Sequence, residues 1–480
     1  MSPTKHSPSD GKPRKVIPIA AAGSSFYEAR QKIHPRSIQG VFANWRWAMV
    51  WLTQLVFYGL PWLQWGERQM VLFDLEVKRF YLFGLVLYPQ DFIYLTGLLI
   101  ISALSLFLFT AVAGRLWCGF SCPQTVYTEI FMWLENRIEG DRSTRMRLDK
   151  APWTSWEKLW RKGLKQTAWI AVALWTGFTF VGFFVPIRQL GGEIMALQGT
   201  WQLFWVFFYS FATYGFAGHM REQVCKYMCP YARFQSAMFD KDTLIVTYDT
   251  QRGEPRGARS KKVDPKAAGL GDCIDCSLCV QVCPTGIDIR NGLQYECIGC
   301  GLCVDACNSV MDKVGAPRGL IRYATPNGMA SRWSTAQMLR RVARPRVLIY
   351  VGALVVLSVA LVASMALRTP LKVDVVSDRA VLARIVSGGQ LENLYRLQIM
   401  NATEAPQRYR ISASGLEGLT VAAEDRETEV DATQARWVPV RLRIPYGAAT
   451  AGSHTVYFTV EAQGGVPARV VEKAAFQVPR

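Results

Sequence analysis

Cysteine is missing from both ends of this 480-residue chain, since all twelve cysteines lie between residues 118 and 307. This absence excludes a disulfide framework for the C-terminal part, and the grouped thiols are expected to be ligands or redox groups. Histidine is scarce, and no two of the four histidines lie on apolar segments in positions that would hold a b-type haem. No G-x-G-x-x-G nucleotide cradle is present, so a quinol, a ferredoxin or a separate flavoprotein stays open as the electron donor.

Acidic residues are fewer than basic ones, and the formal net charge is +18. Half of the residues are apolar, and five uncharged stretches meet the length of ~20 residues that a helix needs to cross a bilayer. They predict a multi-pass membrane protein. The basic excess is then mainly a topological signal with some attraction to membrane lipid, and no nucleic-acid partner is expected. The predicted spans are residues 47–66, 92–114, 166–187, 194–218 and 347–367.

The distribution of Lys and Arg around these spans predicts their orientation. The N-terminal tail and residues 115–165 are rich in basic residues, whereas residues 189–193 have none. Because short basic segments stay in the cytoplasm, the N-terminus and the cysteines are expected inside, and the C-terminus outside.

The loop of residues 67–91 runs against this trend, because it places three basic residues on the outer side. Asp91 ends this loop and is interpreted as an N-cap of the second span, with a functional carboxylate at the outer face as the alternative. The three basic residues are Arg68, Lys78 and Arg79.

Eight cysteines form two runs with the spacing C-x2-C-x2-C-x3-C. Three thiolates of such a run cap one face of an iron-sulfur cube and the fourth reaches the other cube, so the runs predict two [4Fe-4S] clusters. Zinc also binds C-x2-C pairs, but the apolar gaps and the C-P after the first run fit it poorly. The second run has Asn308 where proline is usual. The expected ligands are Cys273, Cys276, Cys279 and Cys307 for cluster one, and Cys297, Cys300, Cys303 and Cys283 for cluster two.

The remaining four cysteines form two C-x3-C-P pairs, one after the second span and one after the fourth. Thiols at i and i+4 of a helix share a face, and both pairs are expected at the same depth, where four thiols can converge. Three interpretations compete: inert packing, a redox-active dithiol favoured by nearby Arg115, Arg221 and Lys226, and a soft Cu(I) site. A further cluster and disulfides between these thiols also stay open. The pairs are Cys118 with Cys122 and Cys225 with Cys229, and further candidate ligands are His219, Met220 and Met228.

The last part of the chain changes to strand-like alternation, as in "NLYRLQIM" and "HTVYFTVEA". About seven strands of this kind predict an antiparallel immunoglobulin-like sandwich with a docking or stabilising role. The expected domains are a basic tail (1–46), a four-span membrane domain with the first C-x3-C-P motif at 118–123 (47–218), a membrane-proximal segment with the second motif at 225–230 and a basic linker (219–263), a ferredoxin-like α+β cluster domain (264–346), the fifth span (347–367) and the all-β sandwich (371–480).

These parts, in this order, resemble a known family. The stretches "RLWCGFSCPQTVYTEIFMWLENRIEGDR" and "GHMREQVCKYMCPYARFQSAMFDKDTLIVTYD", the two ferredoxin runs, the fifth span and the sandwich are similar to the accessory proteins of bacterial cbb3-type cytochrome c oxidase assembly, called CcoG or FixG. The resemblance covers nearly the whole chain from about residue 40.

The resemblance implies a cupric reductase of the bacterial inner membrane, with a cytoplasmic N-terminus and a periplasmic sandwich. It implies that electrons from two clusters reduce Cu(II) to Cu(I), and that Cys118, Cys122, Cys225 and Cys229 bind or reduce the copper. The implied partners are copper ions, an electron donor, and oxidase assembly factors or a copper transporter, while a homodimer stays open. The alternatives are a quinol-linked electron-transfer subunit and a non-enzymatic copper chaperone or assembly scaffold.

Overall fold

The computed structural model describes residues 32–258, 269–378, 383–386 and 388–479. Most of the predicted basic tail and part of the basic linker lie outside the described residues. The described α-helices are α1 (Val41–Gly59), α2 (Phe92–Ala113), α3 (Leu116–Phe120), α4 (Pro123–Glu139), α5 (Arg142–Lys150), α6 (Trp156–Val181), α7 (Ile187–Met195), α8 (Thr200–Thr213), α9 (Pro230–Met238), α10 (Thr250–Gly253), α11 (Leu278–Gln281), α12 (Leu302–Val314), α13 (Pro326–Ala330), α14 (Thr335–Arg340) and α15 (Pro345–Ala366).

The strands make up five small or medium sheets in the described ranges. They are β1 (Gln64–Trp65), β2 (Arg68–Gln69), β3 (Val71–Asp74), β4 (Arg79–Leu82), β5 (Leu85–Leu87), β6 (Ile245–Tyr248), β7 (Ile321–Ala324), β8 (Leu371–Ser377), β9 (Arg384–Val386), β10 (Gln390–Asn401), β11 (Gln407–Ser414), β12 (Thr420–Val421), β13 (Glu427–Val430), β14 (Ala435–Pro445), β15 (Gly452–Ala462) and β16 (Arg469–Val478).

Two helices of the described chain are long and apolar enough to cross a membrane. They are Pro89–Ala113, with a mean hydropathy of 2.4, and Pro345–Ala366, with a mean hydropathy of 2.6. They coincide with the second and fifth predicted spans. The two helices pack against each other, and the hydroxyl of Tyr94 donates to the carbonyl of Ser364 at 3.3 Å.

The helices at the other three predicted spans have bounds that differ from the predicted stretches. The first helix begins at Val41 and ends at Gly59, because Pro61 lies in a 3-10 turn that leads into β1. The third begins at Trp156, since its first turns carry charged residues that find partners on α4 and α5. The fourth begins at Thr200, after Gly199 with its left-handed φ of 74°, and continues from α8 into a π-helix that ends at Met220.

The C-terminal sandwich is confirmed, although the structure has nine strands there where about seven were expected. One sheet has the order β12-β14-β10-β8, with β9 also paired to β10, and the other has the order β13-β11-β15-β16. Alternate residues of both sheets point inward, as their period-two pattern predicts. Tyr395 and Phe458 meet edge to face in this core, and the buried Tyr395 hydroxyl donates to the carbonyl of Ala475 at 2.8 Å.

The loop between α1 and α2 is folded against the sandwich. Its sheet of β3, β4 and β5 buries Tyr81 and Val86 against Met400. Arg68 forms an ion pair with Glu404 at 2.6 Å. Arg68 and Arg79 therefore lie beside the sandwich, since Arg79 donates to the side chain of Gln434 at 2.9 Å.

Asp91 has a different role from the predicted N-cap of α2. Its carboxylate accepts a hydrogen bond from the Tyr88 amide at 3.0 Å. It also forms ion pairs with Arg368, at 3.2 Å, and with Lys372. Asp91 is buried, so these contacts fasten the end of α15 and the first strand of the sandwich to the start of α2.

The cysteine-rich domain lies at the opposite end of the helices. Its short helices α11 and α12 pack on a two-stranded sheet in which β6 pairs with β7, so the segment after the second C-x3-C-P motif contributes a strand to this domain. Asp305 of α12 accepts a hydrogen bond from the Ala43 amide at 2.9 Å. The first turn of α1 is thus capped by a carboxylate of the cysteine-rich domain, which ties the two parts together.

Candidate functional site

The cysteines predicted for cluster one face a single small cavity, whose lining includes Tyr248 on β6 and Arg290. Arg290 forms ion pairs with Asp275 and, at 2.7 Å, with Asp288. One of the four thiols, Cys276, is exposed at the surface of the domain. This cavity contains Cys273, Cys276, Cys279 and Cys307 in its lining.

The cysteines predicted for cluster two line a second small cavity deeper in the molecule, and Cys279 of the first run also reaches it. Cys300 is buried and packs with Ala43 of α1 and Cys118 of α3. The exchange of the fourth cysteine between the runs is present in the geometry, because Cys307 lies with the first run and Cys283 with the second. The second cavity contains Cys283, Cys297, Cys300 and Cys303 in its lining.

The four thiols at each cavity match in number the four irons of a cube. Zinc lies at ~2.3 Å from each sulfur and draws its ligands close together, whereas a [4Fe-4S] cube spreads four thiolates over separate irons. Within the described ranges, no three Cys, His, Asp or Glu side chains lie close enough to hold one metal ion. The two sets of four thiols therefore fit the donor chemistry of iron-sulfur clusters.

Burial makes these thiols weak acids. It raises the pKa of Cys297 and of Cys307 to about 12, and the pKa of Cys279 to about 11. Neighbouring thiols add to the effect at Cys307. Because only thiolates bind iron, loading a cluster at these positions releases protons.

The second run has a close neighbour that the first run lacks, and its glycines reflect this. A Cβ atom at Gly301, which has a left-handed φ of 74°, would lie 2.7 Å from the ring of Phe42 on α1. At the corresponding place in the first run, Ser277 adopts a φ of 54°. Cluster two therefore lies on the inner face of the domain, against the helices, and cluster one on the outer face. Asn308, which replaces the usual proline, accepts a hydrogen bond from the Gly319 amide at 3.0 Å and fixes the following turn.

The two C-x3-C-P pairs do not lie on single helices, so the predicted shared helical face is wrong. Cys118 lies in α3, but Cys122 is extended and precedes α4, which begins at Pro123. In the second pair, Cys225 lies in a π-helix and Cys229 precedes Pro230. In both motifs the proline starts a new helix, because it lacks an N–H and favours the first helical position.

The four thiols are close enough to affect one another's ionisation. Burial raises the pKa of Cys118 and of Cys225 to about 12, and in each case a thiol of the other pair raises it further. Burial also raises the pKa of Cys122, and the Cys229 thiol adds to this effect. Within the described residues no three of these thiols lie close enough to hold one metal ion, so a single four-thiol site stays a prediction.

This group of thiols touches the cluster-two loop. Gly119, between the two cysteines of the first pair, is buried, and a Cβ atom there would lie 2.9 Å from the main chain of Ile298, Gly299 and Cys300. Cys118 packs with Cys300 and Cys303 in one apolar group. Gly119 of the thiol site therefore contacts directly the loop that carries Cys297 and Cys300, two predicted ligands of cluster two.

The additional candidate ligands lie around the second motif. The imidazole of His219 meets the ring of Trp169 at 6.1 Å and that of Tyr214 at 5.0 Å, so part of its surface is used in packing. Met228, next to Cys229, is half exposed, and Met220 ends a π-helix that begins at Tyr214. Their role as copper ligands stays a prediction.

The structure gives Arg221 a role beyond that of a cation near the thiols. It joins the two π-helices, Tyr214–Met220 and Val224–Met228, with a left-handed φ of 43°. Its guanidinium donates to the carboxylate of Glu135 at 2.7 Å and to the carbonyl of Gly218 at 3.0 Å. Single π-turns often mark functional sites, and here one carries Cys225. Arg221 therefore positions the second thiol pair through Glu135.

Replacing Glu135 with glutamine is expected to destabilise the protein by about 3–5 kcal/mol, because buried Arg221 and Arg145 would lose their carboxylate. Cys225 should also move from its position. Heat-induced loss of cluster absorbance would measure the stability, and the accessibility of the thiols would measure the movement of Cys225. Glu157→Gln, at an exposed i,i+4 pair with Arg161, is the matched control and should change stability by less than about 0.5 kcal/mol. Equal effects of the two variants would contradict this role.

The same pair gives stability a pH dependence. Burial raises the pKa of the Glu135 carboxyl, but Arg221 and Arg145 outweigh burial and hold it below its ordinary value. The ion pairs therefore stabilise the fold fully above the pKa of an unfolded glutamate, ~4.3, and this contribution is lost as the pH falls through the lower pKa of the folded protein.

Comparison with known proteins agrees with this arrangement. A profile described as a 4Fe-4S dicluster domain matches residues 220–326, a 4Fe-4S binding domain matches residues 95–140, and the Ig-like fold at the C-terminus of FixG matches residues 361–479. The chain is 36% identical over 446 residues to the nitrogen fixation protein FixG of Rhizobium meliloti, with 86% of this chain and 85% of that protein covered. The chain belongs to the FixG family.

A second relative supports the same membership. Protein RdxA of Cereibacter sphaeroides is 38% identical over 452 residues, covering 92% of each chain. The crystal structure of a FixG-related protein from Vibrio parahaemolyticus covers 23% of this chain and 97% of its own, with 20% identity and a TM-score of 0.21. As a FixG-type protein with two four-cysteine runs, the chain is an iron-sulfur oxidoreductase.

Proposed function

We propose that this FixG-type protein is a membrane cupric reductase that converts Cu(II) to Cu(I) at the C-x3-C-P thiols. The observation that carries the proposal is the contact of Gly119 with the main chain of Cys300, which places soft sulfur ligands directly beside a cluster-binding loop. When bound, the two clusters supply single electrons. Thiolates favour Cu(I) over Cu(II), so they stabilise the product of the reduction.

The chain's own residues account for the other requirements of this reaction. Cys118, Cys122, Cys225 and Cys229 would receive the copper, with His219, Met220 and Met228 as additional ligands. Since the thiols are not close enough to share one ion as they stand, rotation of their side chains is needed to close the site. The exposed side of Cys276 offers the approach for an electron donor, because cluster one is nearest to solvent there.

For location, we propose five membrane-crossing segments in the bacterial inner membrane, built on α1, α2, α6, α8 and α15. Large apolar side chains on the less hydrophobic of these helices point outward, for example Trp51 and Leu55 of α1 and Phe207 and Phe211 of α8. The sandwich would be periplasmic and the cysteine-rich domain cytoplasmic, as the basic loops require. In this position the protein would provide Cu(I) to assembly factors or a transporter that serve a cbb3-type oxidase.

The proposal is tested with the purified, cluster-loaded protein under anaerobic conditions. After reduction and removal of the reductant, added Cu(II) should re-oxidise both clusters and give two Cu(I) per chain, since each cluster gives up one electron. Cluster absorbance and a colorimetric Cu(I) chelator follow the two sides of the reaction. Clusters that stay reduced after Cu(II) is added would contradict the proposal. Re-oxidation by a quinone instead of copper would point to quinol-linked electron transfer, and clusters that cannot be reduced would point to a scaffold.

A further inference from the structure

Arg115 is a buried arginine placed between the thiol site and the cluster-two loop. Only 6% of its surface is exposed. Its guanidinium donates to the main-chain carbonyls of Tyr295 and, at 3.4 Å, of Cys297, which is a ligand of cluster two. On the other side it donates to the carbonyl of Ala232 at 2.7 Å, shortly after the second C-x3-C-P motif. One side chain thus holds the cluster-two loop and the second motif together.

The charge of Arg115 distinguishes it from the other buried arginines of this region. Arg46 forms an ion pair with Glu129 at 2.7 Å, and Arg221 forms one with Glu135 at the same distance. Among the described residues, no carboxylate lies within ion-pair distance of Arg115, and its hydrogen bonds all go to carbonyl groups. Its positive charge is therefore not compensated locally by the chain. A buried charge costs free energy unless something of opposite sign faces it.

The charge of Arg115 reaches several thiols and the hydroxyl of Tyr231. Its charge acts on the thiols of Cys118 and Cys225 in the copper site and on Cys297 in cluster two. In addition, the cluster-two loop packs on its main chain, since a Cβ atom at Gly299 would lie 3.3 Å from the Arg115 carbonyl carbon. No comparable contact of Arg115 involves the first run in the described structure. Its field is therefore strongest at cluster two and at the thiol site, and weaker at cluster one.

We propose that Arg115 is a positioning residue that raises the reduction potential of cluster two above that of cluster one, so that electrons collect beside the thiols. When cluster two gains one electron it gains one negative charge, and a fixed positive charge at low dielectric stabilises that state. The electron comes from cluster one, which loses one negative charge, so the transfer between the two clusters is balanced. This inference rests on the cluster ligands of the proposed function and does not depend on copper.

The test compares Arg115→Gln with the wild type by EPR-monitored redox titration of the cluster-loaded protein, without copper. Glutamine keeps hydrogen-bond donors for the carbonyls and removes the charge. We expect the potential of cluster two to fall so that the equilibrium constant for transfer from cluster one becomes at least tenfold smaller, or ~59 mV for one electron. The potential of cluster one should not change. Cluster one is identified as the signal relaxed by a soluble paramagnetic chelate, because Cys276 is exposed.

Three further variants separate charge from structure. Arg115→Lys retains the charge and should retain most of the difference in potential. Arg318→Gln removes an exposed arginine that is paired with Asp312 and should leave both potentials unchanged. Gln235→Glu adds a carboxylate near Cys118, whose sulfur lies 3.9 Å from the Gln235 side-chain oxygen, and should lower the potential of cluster two even if Arg115→Gln fails to load its clusters.

Unchanged potentials in both Arg115→Gln and Gln235→Glu, or equal shifts of both clusters, would overturn the inference. Its failure can be told from failure of the proposed function. If Cu(II) still re-oxidises the wild-type clusters, copper reduction stands without the role of Arg115. If the potentials shift as expected but copper is not reduced, the role of Arg115 stands and the copper substrate is wrong.

Discussion

Replacing Cys118, Cys122, Cys225 and Cys229 together with serine is expected to abolish Cu(I) formation while both clusters remain. The clusters should survive because their eight ligands lie in two other cavities. Copper reduction should be lost because serine hydroxyls are hard ligands that do not favour Cu(I). Anaerobic Cu(II) addition with a Cu(I) chelator measures the activity, and cluster absorbance measures the iron-sulfur content.

Partial variants make this experiment sharper. Cys118→Ser and Cys225→Ser each remove one thiol from a different motif, and both should weaken Cu(I) binding if the motifs form one site. Ser121→Ala, between the cysteines of the first pair, is the matched control and should retain activity. Met228→Leu and His219→Gln test the additional ligands and should lower Cu(I) affinity with less effect than loss of a thiol. If the four-serine variant reduces Cu(II) as fast as the wild type, the thiols are not the reducing site.

The order of the redox groups follows from the position of each run relative to the helices. The second run contacts α1 and α3 through Gly301 and Cys300, whereas Cys276 of the first run is exposed. In the proposed function a donor would therefore approach cluster one, and copper would be reduced at the thiols beside cluster two. Asp305, which caps α1, keeps this order by fixing the cysteine-rich domain on the first helix.

The spacing of residues within one segment predicts the features that form within that segment. The C-x2-C-x2-C-x3-C runs predict both sets of cluster thiols, including the exchange of Cys283 and Cys307, because each run bends around a cube within a few residues. Alternation of apolar and polar residues in β10 and β15 predicts the sandwich, since a period of two over such lengths is typical of a half-buried strand. The apolar composition of α2 and α15 also predicts their bounds within a few residues, because composition is a local property of the sequence.

The wrong predictions involve contacts between distant residues. The sequence predicts too late a start for α6 because Lys162 and Lys165 are typical of a loop, yet Glu139 on α4 pairs with both and permits a charged helical turn. The C-x3-C-P pairs were placed on helical faces because the spacing was considered without the effect of proline on the residue before it. That rule alone would have placed Cys122 and Cys229 in extended conformation.

Arg115 and Gly119 could not be assigned from the sequence in the same way. Arg115 was noted only as a cation near the first pair, and its uncompensated burial appears when the cluster-two loop folds against it. A glycine between two cysteines suggests close packing, but its partner lies far along the chain at Cys300.

Gly119→Ala is expected to damage cluster two more than any other single methyl group added to the helices around the thiols. The added carbon would meet the main chain of Ile298, Gly299 and Cys300 at 2.9 Å. Main-chain atoms cannot rotate away as a side-chain end can, so the loop must move and shift the Cys297 and Cys300 ligands. Such overpacking costs about 1–3 kcal/mol, although alanine is otherwise favoured over glycine in a helix.

Gly163→Ala is the matched control, because a Cβ atom at Gly163 of α6 has no other atom within 4 Å. It should be neutral or stabilise the protein by up to about 1 kcal/mol. Thermal loss of cluster absorbance measures stability, and the EPR signal of cluster two reports on its ligands. We expect Gly119→Ala to lower the first and to alter the second, together with slower reduction of Cu(II). If Gly119→Ala instead behaves like Gly163→Ala in all three measurements, the thiol site and the cluster-two loop are not in direct contact. The proposed short electron path from cluster two to copper would then be wrong.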